Sequence, residues 1–147
     1  MDYKNSLSVS ALGMSVERAR VEVAALNLAN ANSAISPDGT GFRPMRVVAK
    51  SFQQVHPFAE LISQGASEFL PSQQSFTIEP VSLAPRQVYE PGHPMANSKG
   101  FVAYPAVDTA TETVTMMSAM RAYEANVAAM NMSRNMALKA LEIGGGN

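Results

Sequence analysis

DTATETVTMMSAMRAYEANVAAMNMSRNMALKALEI, from Asp108 to Ile143, is the longest periodic stretch in the chain. Its apolar residues recur at Met116, Met120, Tyr123, Val127, Met130, Ala137 and Leu141, in steps of three and four that place them on one face of a helix. One place in that series, Arg134, is polar. Asp108 can accept a hydrogen bond from the free N–H groups of the first turn, or Thr109 and Glu112 can form a capping box. Gly144, Gly145 and Gly146 are expected to stop the helix after Ile143. At about 1.5 Å per residue the helix would be about 50 Å long. A stripe of that length needs a partner of similar length.

The partner stripe lies at the other end of the chain. Ser6 to Ala31 reads as a second long helix, with Leu7, Ala11, Met14, Val21, Ala25 and Leu28 in the same alternating steps. Arg18 takes the one polar place in that series. A second row, Leu12, Val16, Ala19, Val23 and Leu26, runs beside it, so the apolar arc is wide enough to meet more than one neighbouring helix. Gly13 is a weak point, costing about 1 kcal/mol against alanine. The helix should fade in Asn27-Leu28-Ala29-Asn30-Ala31-Asn32-Ser33, because asparagine tolerates left-handed turns and competes for backbone hydrogen bonds. Arg18 and Arg134 admit two readings: charges that fix register and partner choice, or edge residues whose heads reach water.

Burying one Leu, Met or Val contributes roughly 1.5–3 kcal/mol, while ordering one residue's backbone costs roughly 1–2 kcal/mol. A lone helix with an exposed stripe loses that contest. Two helices zipped together, with others from further copies, can win it. Both ends are therefore expected to be loosely ordered in a free monomer.

Between the helices the chain changes character. Pro37-Asp38-Gly39-Thr40-Gly41 and Arg43-Pro44 form a turn-rich passage. Weak alternation predicts a strand from Met45 to Val55, and short β-prone pieces occur at Ser75 to Ile78, Arg86 to Tyr89 and Lys99 to Tyr104. Pro91-Gly92-His93-Pro94 is a tight turn. The expected fold is mainly α: two long N- and C-terminal helices in a coiled-coil-like pair, with a small irregular β-containing middle segment. The divisions are 1–35, 36–107 and 108–147.

Composition narrows the function. The 147 residues carry a net charge of −1, which offers neither a basic surface for nucleic acid nor a polybasic membrane anchor. No apolar run is long enough for a membrane span. With no cysteine, disulfides, thiolate metal sites and thiol catalysis are excluded. Met1 to Ser6 lacks the basic start and apolar run of a secretory signal. The two histidines, His56 and His93, are too few and too far apart for a metal site, and no serine sits in a nucleophile motif. Gly144 to Gly146 follows a helix rather than preceding one, so it is no phosphate loop. Glu112, Glu124 and Glu142 are spread along one helix and read as solvated or salt-bridging. No catalytic, cofactor-binding or metal constellation is present, and an enzyme is not expected. The ten methionines against six phenylalanines suit adaptable contacts or simple core filling.

Ser10-Ala11-Leu12-Gly13-Met14, Arg18 and Asn27-Leu28-Ala29-Asn30-Ala31-Asn32-Ser33 resemble the N-terminal signature of the bacterial flagellar rod and hook family. Arg121-Ala122-Tyr123-Glu124-Ala125-Asn126-Val127 resembles that family's C-terminal signature. Tyr89 to Pro94 with Gly100 to Asp108 is similar to its short proximal-rod members. Ser33 stands where the family more often has threonine, and residues 51–87 carry no recognised motif. The resemblance implies a structural subunit that leaves the cytoplasm through the flagellar type III export apparatus without a cleaved signal. It implies assembly into the rod that spans the periplasm, with terminal helices inside and the middle segment outside. The implied partners are copies of itself, other rod proteins and the rotor-ring adaptor, with no nucleic acid and no membrane insertion. The expected subunit interface comprises the two stripes, Arg18 and Arg134 included, together with Asn30. A competing reading is an export chaperone or adaptor with a helical groove, which would purify as a stable, ordered dimer. A different proximal-rod subunit is the alternative within the family.

Overall fold

A computed structural model describes residues 3–50 and 75–145. Helix α1 spans Tyr3–Asn30 and helix α2 spans Thr109–Gly145. Between them lie strands β1 (Met45–Lys50), β2 (Ser75–Pro80), β3 (Arg86–Tyr89) and β4 (Phe101–Tyr104). The 28 and 37 residues of the helices correspond to about 42 Å and about 55 Å. The fold is mainly helical, as the two periodic ends predict, and β3 has the expected bounds. The glycines do not stop α2 at Ile143: the helix continues through Gly145, because C-terminal glycine permits termination without imposing it. The expected extension of β1 to Val55, His56 and the last two residues of the tail lie outside the described residues.

Asp108 is the cap of α2. Its Oδ1 accepts the Ala110 N–H at 3.1 Å and its Oδ2 accepts the Thr111 hydroxyl at 2.6 Å. These bonds, the Thr111 hydroxyl foremost, hold the Asp108 carboxyl below its ordinary value. Glu112 closes no capping box; its side chain crosses to α1 instead.

The helices run antiparallel, and three cross-contacts fix their register. Ser6 and Ser133 share a hydroxyl hydrogen bond of 2.8 Å. A Cβ on Gly13 would meet the Asn126 amide at 2.8 Å. The Asn27 amide donates to Glu112 Oε1 at 3.2 Å. Between the first two contacts each helix moves seven residues, and between the second and third each moves fourteen, in opposite directions. Multiples of seven are the repeat that keeps two helices facing each other over many turns. The same register sets Arg20 level with Ala119, which is fully buried.

The four strands make two separate antiparallel pairs, β1–β2 and β3–β4. A backbone bridge from Ile35 to Ala103 ties the chain leaving α1 to β4. Val102, Pro105, Ile35 and Ala31 are buried, forming a second small core at the base of the helix pair. The 90–100 turn is held by the Asn97 side chain, which accepts from the Lys99 and Phe101 N–H groups. Gly100 sits at φ 79°, and a side chain there would strike the Tyr89 ring, so this turn requires glycine.

Candidate assembly interface

Small and polar residues make the contact between α1 and α2. On α1 the row facing α2 is Ser6, Ser10, Gly13, Glu17, Arg20, Ala24 and Asn27, and on α2 it includes Glu112, Ala119, Ala122, Asn126 and Ser133. Ala24 is 1% exposed and Ala119 0%. Within this seam Arg20 pairs with Glu17 at 3.0 Å, so the partly buried guanidinium is neutralised by its own helix. The apolar stripes were expected to form this contact; instead they flank it. Leu7, Ala11, Met14, Arg18, Val21, Ala25 and Leu28 each stand one residue beyond a member of the α1 row, about 100° further round the helix. Met120, Tyr123, Val127 and Arg134 each stand one residue beyond a member of the α2 row. Helices that approach closely enough for Gly13 to touch Asn126 leave no room between them for Leu or Met.

Stepping one residue forward from the seam leads clockwise on one helix and anticlockwise on its antiparallel neighbour. Both stripes therefore come out on the same side of the pair. Arg18 and Tyr123 illustrate this: the Glu22 hydrogen bond and charge raise the Arg18 guanidinium above its ordinary value, and Tyr123 on the other helix adds to the same effect. Arg18 is exposed and paired with Glu22 at 2.9 Å, which agrees with the edge reading of that residue. Arg134 is also exposed.

Not one residue of the expected interface is fully buried within the chain. Leu7, Met14, Val21, Leu28, Asn30, Met116, Val127, Met130 and Ala137 are half-buried. Ala11, Ala25, Met120, Tyr123 and Leu141 are exposed, with Leu141 at 72%. The second α1 row lies on the opposite side, one residue before the seam. There Ala19 and Val23 are buried while Leu26 remains open. Met132, at 64% exposure, stands one residue before Ser133 on that side.

Asn27 positions the seam, a role missed in the sequence, where it read as part of a fading helix and of the N-terminal signature. It is 1% exposed. Its Nδ2 donates to the Met45 carbonyl at 2.8 Å and to Glu112, and its Oδ1 accepts the Met45 N–H at 2.9 Å. One amide thus joins α1, α2 and the first residue of β1. The available signal was its place seven residues beyond Arg20 and fourteen beyond Gly13, in phase with the seam. Glu112, read as solvated or salt-bridging, is this amide's acceptor.

Among the described residues no group of three His, Cys, Asp or Glu side chains could hold a metal, and no helix is long and apolar enough to cross a membrane. His93 is a loop residue whose Nδ1 accepts the Met95 N–H. A groove of about 280 Å³ lies between the 35–44 loop, the β2–β3 connection and Pro105, walled largely by proline, glycine and apolar side chains. Such a molecule presents long helical surfaces, and its class is that of a structural, assembly-forming subunit.

The comparisons specify that class. The sequence model of the family described as "Flagellar basal body rod FlgEFG protein C-terminal" matches residues 98–143. The chain is 38% identical over 146 residues to the flagellar basal-body rod protein FlgC of Escherichia coli O6:H1, covering 98% of this chain and 99% of that one. It is 34% identical over 145 residues to FlgC of Bacillus subtilis (strain 168), covering 95% and 97%. Identity to FlgC of Borreliella burgdorferi is 31% over 152 residues, covering 97% and 98%. The chain belongs to the FlgC family of flagellar basal-body rod proteins. Residues 51–87, without a recognised motif of their own, fall inside these near full-length matches.

Proposed function

We propose that the chain is a structural subunit of the flagellar proximal rod and assembles through the paired apolar rows of α1 and α2. The observation that supports this is the placement of large side chains. Met120, Tyr123 and Leu141 on α2 stand open on the same side as Leu7, Met14, Val21 and Leu28 on α1. Covering a Leu, Met or Val contributes roughly 1.5–3 kcal/mol, so helices of neighbouring subunits seated on this side gain what the single chain leaves unused. Segments 1–35 and 108–147 form the inner, axial part of the tube, and 36–107 faces outward. The contact is between unlike surfaces and does not close on itself, which generates a helical tube rather than a ring. Long stripes parallel to the axis spread shear over many contacts, as transmission of motor torque requires. The partners are copies of the chain, other rod proteins and the rotor-ring adaptor, and the route out of the cytoplasm is the flagellar export apparatus without a cleaved signal. The subunit performs no catalysis.

Met120→Asp and Leu28→Asp place a carboxylate in each row. Each variant is expected to be made and exported, to be absent from isolated basal bodies, and to leave cells non-motile. Normal swimming with either variant present in purified rods would overturn the assignment.

A further inference from the structure

We infer that Asn27 is the positioning residue that locks the β1–β2 hairpin to the helix pair. Three observations converge on it. First, the Asn27 amide takes both main-chain groups of Met45, donating to its carbonyl at 2.8 Å and accepting its N–H at 2.9 Å. This is the two-bond pairing that a neighbouring strand residue would supply. Met45 and Pro80 form a non-hydrogen-bonded pair, with the Val81 N–H donating to the Pro44 carbonyl beside them, so the Met45 N–H and carbonyl face away from β2. Asn27 therefore stands in for a strand at the point where β1 begins. Second, the remaining donor of the same amide goes to Glu112 on α2, so the hairpin is referred to both helices through one side chain. Third, Asn27 is almost completely buried, and each polar atom of its amide is used. Water is not available to replace the two bonds to Met45.

The geometry separates this role from ordinary core packing. The seam is held at other levels by the Ser6–Ser133 bond, the Gly13–Asn126 contact and buried Ala24 and Ala119. Loss of the Asn27 amide leaves those contacts in place and releases the hairpin. The β3–β4 pair is attached differently, through the Ile35–Ala103 backbone bridge, and does not depend on Asn27.

The chain has no cysteine, so introduced cysteines can be spin-labelled without ambiguity. One full-length reporter carries labels at the exposed positions Ala11→Cys and Ala49→Cys, reading α1 against β1. A second carries Ala11→Cys and Ala128→Cys, both exposed, reading α1 against α2. Pulsed electron spin resonance gives the distance distribution of each. In the parent both are narrow. Asn27→Ala is expected to broaden the α1–β1 distribution about twofold or more while the α1–α2 distribution stays narrow, the pattern of a local opening. Glu112→Ala removes the α2 tie alone and is expected to leave the α1–β1 distribution narrow. Should Asn27→Ala dissolve the helix pair, Asn27→Asp decides. It has the same size and keeps the acceptor, but it lacks both donors, and it is expected to give the same selective broadening. An unchanged α1–β1 distribution, or equal broadening in both reporters of Asn27→Asp, overturns the inference.

Discussion

The row of α1 that meets α2 and the rows one residue to either side of it differ in what they are made of. The contact row is Ser6, Ser10, Gly13, Glu17, Arg20, Ala24 and Asn27, while its neighbours include Leu7, Met14, Val21 and Leu28 on one side and Leu12, Val16, Val23 and Leu26 on the other. Close approach and hydrogen bonding hold the chain to itself, and the bulky apolar groups are left at the flanks. A chain that folded by burying its largest side chains in the seam would leave little for a neighbour. Here intramolecular register rests on contacts spaced by sevens, and the surface proposed for other subunits is a different set of residues on the same helices.

That contrast can be broken at four points. The largest effect on folding is expected at the joint. Asn27→Leu strands the Met45 N–H and carbonyl and removes a partner of Glu112, costing about 2–5 kcal/mol as a lower denaturant midpoint. Next is the level of Gly13. Gly13→Leu forces the helices apart and costs about 1–3 kcal/mol. Gly13→Ala should stay within about 1 kcal/mol of the parent, since helix propensity offsets displacement of the Asn126 side chain, whose Nδ2 is bonded to the Ala122 carbonyl. A Gly13→Leu chain as stable as the parent would show that the seam is not tightly closed.

A smaller effect belongs to the start of α2. Asp108 has a folded-state pKa below its ordinary 3.8, so its cap stabilises the helix above that value. The contribution is lost as pH falls through the depressed folded-state value. Amides of the first turn are expected to lose hydrogen-exchange protection as the medium becomes more acidic than the ordinary carboxylate range, and Asp108→Asn is expected to remove that dependence. The smallest effect on folding is expected at the flank. Met120→Asp should shift stability by no more than about 0.5 kcal/mol, because the side chain is exposed, while abolishing assembly. A large loss of stability in that variant would move Met120 from the flank into the fold.

Much of the architecture was legible because helices announce themselves locally. Periodicity marked both long elements, Asp108 marked the start of α2, and β-prone residues between turn formers marked β3. The stripes were found as well, but their partner was misassigned. Three adjacent rows on α1 each had a plausible spacing, and apolar character favoured the wrong one for the internal contact. Asn27 was hidden for a related reason: asparagine near a helix end has an ordinary local explanation, and its partner Met45 lies eighteen residues away. Gly144 and Gly145 misled because glycine lowers helix propensity without supplying a stop.

The sequence by itself determined that two long amphipathic helices stand at the ends of the chain and that the wide apolar arc of α1 exceeds what one partner helix can cover. Those properties follow from residue order along one helix, through the fixed rotation per residue. Only the tertiary structure decided which row faces inward, that both stripes emerge on one side, and that a single buried amide joins both helices to a strand. Each of these depends on the phase and direction of a second element, and periodicity within one helix carries no information about either.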